Sequence, residues 1–288
     1  MRSGFVAVAG RPNVGKSTLV NALVGEKVAI VSAVPHTTRH RIRGVWTQAD
    51  AQLVLVDLPG WQKPIDTLTE RMQGRVDETM SGEDVDAVLL VVNARERIGA
   101  GDRYVARRVF QLGVPVVIVL NKVDRLKAGH IATQMNNAAK LGPFHALHPV
   151  SAKTGDGIAA LRDELVGLLP EGPLYFPQEQ RTDLSLELQL AELVRETALW
   201  LTRDELPHAI SVEVEEIEER VVRASILVET ESQKQIVVGK GGAVVKEIGT
   251  RARPEVEALL GHPVFLELKV KVRPRWRRDA STLERLGL

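Results

Sequence analysis

Near the start of the chain, Gly10, Arg11, Pro12, Asn13, Val14, Gly15, Lys16 and Ser17 spell G-x-x-x-x-G-K-[ST], and Thr18 follows. That spacing suits a polyphosphate. Main-chain N–H groups turned inward at a helix N-terminus cradle the anion, and the glycines let phosphate oxygens approach the backbone. Lys16 then sets a point charge on the β and γ phosphates, and the Ser17 hydroxyl is a ligand for the Mg²⁺ that bridges them. The base is read elsewhere. Asn121, Lys122, Val123 and Asp124 follow an apolar run, and the Asp124 carboxylate can accept from both N1–H and the exocyclic amine of guanine. Adenine offers no such pair and leaves the acid unpaired in a partly dry pocket, a costly mismatch. Ser151, Ala152 and Lys153 end the next apolar run, where their backbone meets the guanine O6. The nucleotide these residues select is GTP.

Asp57, Leu58, Pro59 and Gly60 end a further apolar run. Asp57 is expected to hold Mg²⁺ through a water, and the Gly60 N–H to donate to the γ phosphate, so that hydrolysis breaks a contact positioning the segment that follows. Thr37 and Thr38 stand in a polar stretch, 35–43, where a mobile loop supplies a second Mg²⁺ ligand; Thr38 is preferred and Thr37 is the alternative. Catalytic contributions therefore fall to Lys16, Thr38 and Gly60. Position 61 is Trp, and an indole cannot orient an attacking water. Gln62 is offset by one residue, so unaided hydrolysis is expected to be slow. Asn13 is a candidate seat for K⁺ beside the phosphates, an electrostatic substitute for an arginine finger. The seven histidines, His36 and His40 among them, show no metal-ligand spacing.

These residues need a scaffold that brings loop ends together. Apolar, β-branched runs at Phe5–Ala9, Leu53–Val56, Ala87–Val92, Pro115–Leu120 and His148–Ser151 read as buried strands, and helix-like segments at Gly15–Val24, Thr67–Met80, Asp102–Leu112 and Gly157–Leu169 alternate with them. Alternation of that kind is an α/β fold with a mostly parallel sheet, whose ligands bind at the carboxyl ends of the strands. The expected nucleotide domain is 1–170. Pro170, Pro173 and Pro177 break the alternation, which makes 171–183 a linker and 184–288 a second domain. There the order changes to helix (Leu184–Leu201), two strands (Ala209–Ile217, Val221–Glu229), two short helices (Ser232–Val238, Gly242–Arg251) and a closing strand (Val264–Val272), an α+β arrangement.

Between the two short helices lie Gly239, Lys240, Gly241 and Gly242, a G-x-x-G turn of the KH kind. It brings backbone N–H groups and a lysine against the sugar-phosphate chain of about four nucleotides. From 234 to 278 there are eleven bases against four acids, whereas 204–219 holds seven acids and no Lys or Arg, so RNA is expected along the first stretch only. Lys246, Arg251, Arg253, Lys271, Arg273 and Arg275 are its candidate contacts, and Trp276 offers a ring for base stacking or for packing against the final helix. Whole-chain composition is otherwise neutral: 38 Lys+Arg against 37 Asp+Glu and 44% hydrophobic residues exclude a disordered polyampholyte and a uniformly basic coat protein. Absence of cysteine excludes disulfide scaffolds and thiolate metal sites. No apolar run approaches the 18–20 residues that span a bilayer, and the reading is an intracellular protein.

Taken in order, Gly10 to Thr18, Thr37 to Arg41, Asp57 to Gly60, Asn121 to Asp124, Ser151 to Lys153 and Ile236 to Ala243 resemble the motifs of the Era family of bacterial GTPases, and the resemblance covers nearly the whole chain. It implies a Ras-like P-loop GTPase domain followed by a type II KH domain. It also implies binding to the 3′ end of small-subunit ribosomal RNA, assistance to small-subunit assembly and peripheral association with the inner membrane, with the protein otherwise cytoplasmic and monomeric. A hydrophobic residue in place of the catalytic glutamine of Ras-like enzymes is similar to the family, although Trp61 is larger than expected there. Leu58 stands where the family has threonine, and the tail from Arg273 to Arg278 is more basic than its pattern. The alternative reading is a module that holds RNA or an anionic membrane constitutively, with an uncoupled GTPase.

Overall fold

A computed structural model describes residues 1–32, 34, 37–61, 64–81, 85–203 and 206–288. The expectations placed on Gln62 and His36 lie outside the described residues. The chain divides into a first unit whose residues lie within 1–183 and a second whose body is 184–288.

Along residues 1–183 the order is β1 (Arg2–Gly10), α1 (Lys16–Val24), β2 (Ile42–Gln48), β3 (Ala51–Asp57), α2 (Thr67–Ser81), β4 (Ala87–Asn93), α3 (Ala100–Phe110), β5 (Val116–Asn121), α4 (Ala128–Ala138), β6 (Ala146–Pro149) and α5 (Ile158–Leu168), all in the first unit except the opening turn of α2. Every residue of β3, β4 and β5 is buried. Continuous apolar strands of this kind need cover on both faces. Leu19, Leu23, Leu161 and Leu165 of α1 and α5 join the core on one face, and Val76, Val105, Val109 and Ala138 of α2, α3 and α4 join that on the other. The six-stranded sheet runs β2-β3-β1-β4-β5-β6, parallel except for β2. Since β1 is flanked by β3 on one side and β4 on the other, the carboxyl end of β1 is the topological switch point where ligands of such sheets bind. Gly10 stands there.

The first unit departs from the sequence expectation at the end of one strand and in β2 and α4, which that expectation did not include. The strand expected at 148–151 is β6, ending at Pro149, because Ser151 turns its N–H to the Asp156 carbonyl (2.9 Å). β2 carries no clean alternation and holds Gly44, so only its pairing with β3 identifies it. Residues 171–183 lie against the first unit: the Gln52 Oε1 accepts from the N–H groups of Tyr175 and Phe176, and Val45 N–H donates to the Arg181 carbonyl.

The second unit contains α6 (Leu186–Leu201), α7 (Leu206–Ala209), β7 (Ser211–Ile217), β8 (Val221–Val228), α8 (Glu231–Val238), α9 (Ala243–Leu260), β9 (Phe265–Val272) and α10 (Ala280–Arg285). β7 and β8 are antiparallel, and β9 adds to β8 in parallel. Leu190, Val194, Ile226, Val237, Ile248 and Val256 form the core between the sheet and α6, α8 and α9. Thr230 starts α8 by a capping box: its hydroxyl accepts from Gln233 N–H, and Gln233 Oε1 accepts from Thr230 N–H. α9 runs nine residues past its expected end and through Pro254, because Ala252 and Val256 are buried in the core and hold those turns in place. Among the described residues no helix is long and apolar enough to cross a membrane.

Candidate nucleotide site and nucleic-acid groove

The phosphate loop leaves β1 at Gly10 and enters α1 through Gly15. There φ is +98°, and a Cβ would stand 2.5 Å from Asn121 Nδ2, so both conformation and space require glycine. Lys16 is 7% exposed, and its Nζ donates to the carbonyls of Gly10 and Arg11, each at 3.1 Å. Burial lowers the Lys16 ammonium from 10.5 to about 8, against the opposing pull of Asp57. Three loops meet on Asn121. Its Nδ2 donates to the Val14 carbonyl (3.0 Å), and its Oδ1 accepts from Lys122 N–H (2.8 Å) and Ala152 N–H (3.1 Å). Lys122, with φ of +70°, crosses over to donate from Nζ to the Asn13 carbonyl (2.5 Å). Asp124 Oδ1 accepts from Ser151 Oγ (3.1 Å), while Lys153 is exposed.

Beside Lys16, the end of β3 delivers Asp57, which is fully buried. Its Oδ2 accepts from Ser17 Oγ (2.7 Å), and Ser17 Oγ and Thr38 Oγ1 lie 2.8 Å apart. Of the two adjacent threonines it is Thr38 that reaches this cluster. Burial raises the Asp57 carboxyl above its usual range, with Lys16, Ser17 and Thr38 pulling it back. Asp57 Oδ1 is buried without a hydrogen-bond partner. Two hydroxyls and a carboxylate with an orphaned oxygen fit a small, hard divalent cation. Pro59 and Gly60 are buried, and a Cβ on Gly60 would stand 2.9 Å from Pro12, which sets this backbone against the phosphate loop. Leu58 is 1% exposed and belongs to the core together with Val56 and Val76, so an apolar residue is accommodated there.

Trp61 turns to α3. The Arg108 guanidinium lies 4.7 Å from its ring centroid, and Tyr104 meets it edge-on at 6.4 Å. The indole packs on the same core as Leu58, and its buried Nε1 has no hydrogen-bond partner. Held this way, the side chain that follows Gly60 offers no polar atom to a water.

In the second unit, Gly239, Gly241 and Gly242 take φ of 72°, 61° and 80°, which turns the chain from α8 into α9 around exposed Lys240. Alongside lies an open groove of about 290 Å³, lined by Val245, Lys246, Gly249, Thr250 and Arg253 of α9 and by Phe265, Leu266 and Leu268 of β9. Sequence reading found Lys246 and Arg253 but missed this apolar floor. The available signal was Phe265, an aromatic at the head of a strand, which is 63% exposed. The other predicted contacts scatter. Arg251 pairs with Glu247 (2.6 Å) along α9, and Lys271 pairs with Glu215 on the sheet, where Lys271 and Ser225 hold the Glu215 carboxyl below its usual range. Arg273 and Arg275 are exposed. Trp276 corrects the stacking expectation: it is fully buried, and its Nε1 donates to the Ala209 carbonyl (2.9 Å), so no base can reach its faces.

Comparison with known proteins agrees with both halves of this geometry. Residues 5–122 match the family described as 50S ribosome-binding GTPase, and residues 205–277 match the KH domain. The GTPase Era of Mycobacterium sp. (strain KMS) is 44% identical over 296 residues, covering 99% of this chain and 98% of its own, and that of Mycobacterium bovis (strain BCG / Pasteur 1173P2) is 45% identical with the same coverage. A crystal structure of an Aquifex aeolicus Era variant bound to GDP and AlF4⁻ superposes with a TM-score of 0.95 at 38% identity, over 100% of this chain and 99% of that one. A crystal structure of Era with MgGDPNP and nucleotides 1506–1542 of 16S ribosomal RNA matches at the same TM-score, identity and coverage. Matched by these relatives over nearly its full length, with a GTPase and a KH domain in the same chain, the chain belongs to the GTPase Era family.

Proposed function

We propose that this GTPase is a switch that binds small-subunit ribosomal RNA near its 3′ end and assists assembly of that subunit. The observation that carries the nucleotide half is the Asn121 clamp, which gathers the phosphate loop, Lys122 and Ala152 at the strand ends and leaves Asp124 beside Ser151. In this reading the backbone from Gly10 to Thr18 cradles the phosphates, and the Asp124 carboxylate accepts from guanine. Lys122, Ser151, Ala152 and Lys153 wall the base. Ser17, Thr38 and, through water, Asp57 would hold Mg²⁺, whose charge offsets that of the β and γ phosphates. Lys16 stabilises charge on the β–γ bridge, and the Gly60 N–H orients the γ phosphate. Because Trp61 gives no polar group to the attacking water, intrinsic hydrolysis is slow. Asn13 seats K⁺ in place of an arginine finger, and a GTPase rate equal in K⁺ and Na⁺ buffers would reject that assignment.

The RNA half rests on the groove between α9 and β9 and on the likeness to an Era solved with ribosomal RNA. Gly239, Lys240, Gly241 and Gly242 grip the sugar-phosphate chain, while Lys240, Lys246, Arg273 and Arg275 neutralise it and Arg253, paired with Glu257 along α9, lines the groove. Residues 1–170 thus carry GTP chemistry, 171–183 connect, and 184–288 bind RNA, in a monomeric cytoplasmic protein whose basic tail can touch the inner membrane. Two titrations on the full chain test this. GTP should bind at least a hundredfold tighter than ATP, and ribosomal 3′-end RNA tighter than a scrambled strand; indifference in either defeats the corresponding half.

A further inference from the structure

The Arg11 side chain turns from the phosphate loop toward α3. Its Nε donates to Asp102 Oδ1 (2.7 Å) and its guanidinium also pairs with Glu96 (2.9 Å), so the outer wall of the phosphate loop is fastened to the start of α3. Asp102 is 2% exposed, and its other oxygen, Oδ2, accepts from Gly99 N–H (2.8 Å), capping α3. The aliphatic stem of Arg11 packs directly over Gly101, where a Cβ would stand 2.6 Å from Arg11 Cδ. The same residue's carbonyl receives Lys16 Nζ. Tilting Arg11 therefore moves a carbonyl that locates the ammonium and the N–H groups of the cradle together.

We propose that Asp102 is a positioning residue for nucleotide binding, acting through Arg11 to hold the curvature of the phosphate loop. It touches no substrate. Its carboxylate has two separable tasks, capping α3 through Oδ2 and holding Arg11 through Oδ1. The first governs helix stability and the second governs the cradle. Main-chain amides of the cradle meet phosphates present in both GTP and GDP, so a loosened loop weakens ground state and transition state alike.

The test is a double-mutant cycle of Arg11→Met and Asp102→Asn in the full chain, with GTP turnover and GDP binding measured for each. In Asp102→Asn the amide oxygen can keep the Gly99 cap, but its NH₂ then faces the Arg11 donor. Each single variant is expected to raise KM for GTP and Kd for GDP by the same five- to twentyfold factor, with kcat within twofold, and the double variant to be no worse than either single. Three results overturn the proposal: unchanged KM and Kd, additive losses in the double variant, or a loss for GTP that spares GDP. Should Asp102→Asn fail to fold, Arg11→Met and Arg11→Lys carry the test alone, with the lysine expected to recover part of the GDP affinity and equal GDP affinity in wild type and methionine variant overturning it.

Discussion

Lys16 meets two opposed demands, since the cradle must be dry enough to strengthen its charge on phosphate and yet must not strip that charge away. Burial has already brought it to about 8. The nucleotide's phosphates bind the protonated form, so affinity is expected to hold below that pH and fall above it. Between pH 7 and pH 9 the Kd for GDP should rise about tenfold, and a Kd flat across that range would remove Lys16 from phosphate binding. The stability of the nucleotide-free protein moves the other way. The folded pKa lies below the unfolded value, so between about 8 and 10.5 the unfolded chain holds the extra proton and folding becomes more favourable as pH rises. Asp124 sets the other specificity. Replacing it, Asp124→Ala, should weaken GTP by about a hundredfold or more through loss of a charge-assisted pair, with ATP scarcely changed. Competition binding measures both, and undiminished guanine preference would move base reading elsewhere.

At the level of elements, two features run against simple sequence rules, and each gives an expectation. α9 continues through Pro254, which removes one helical hydrogen bond. Pro254→Ala should therefore raise the stability of the second unit, by about 1 kcal/mol after the greater freedom of the unfolded chain is allowed for, as read by urea unfolding. Trp276→Phe should do the reverse, by about 1–3 kcal/mol, because it strands the Ala209 carbonyl and leaves a void. RNA affinity of the folded variant should stay within twofold; a large loss would return Trp276 to the RNA surface. These two residues also show what the sequence could disclose. The strand ends that carry Gly10, Asp57 and Asn121 were legible, because fully buried parallel strands are nearly continuous apolar runs and their next residues are polar. β2 was not, since an edge strand with Gly44 and mixed polarity is defined by its partner. Of the two readings of Trp276, stacking fails: flanking arginines mark a local stretch as exposed, whereas one tertiary hydrogen bond and full burial decide the ring. The α9–β9 groove was invisible for a related reason: its floor combines residues that lie about fifteen positions apart.

For the molecule as a whole, charge pairing revises what composition suggests about nucleic acid. Eleven bases in 234–278 would give a steep salt dependence, yet Arg251, Arg253, Lys269, Lys271 and Arg277 are paired within the second unit, while among the described residues no ion pair involves Lys234, Lys240, Lys246, Arg273, Arg275 or Arg278. With about six phosphates neutralised, log K for single-stranded RNA should fall against log salt with a slope of about −4. A slope near −8 would mean that the whole basic stretch engages. In the switch proposed above, GTP orders the segments around Thr38 and Gly60, and that order reaches the RNA-binding domain. The direct measurement is the affinity of the full chain for ribosomal 3′-end RNA with a non-hydrolysable GTP analogue and again with GDP. Binding at least fivefold tighter with the analogue is the expected result; equal affinities would contradict it and leave a constitutive RNA binder beside an independent GTPase.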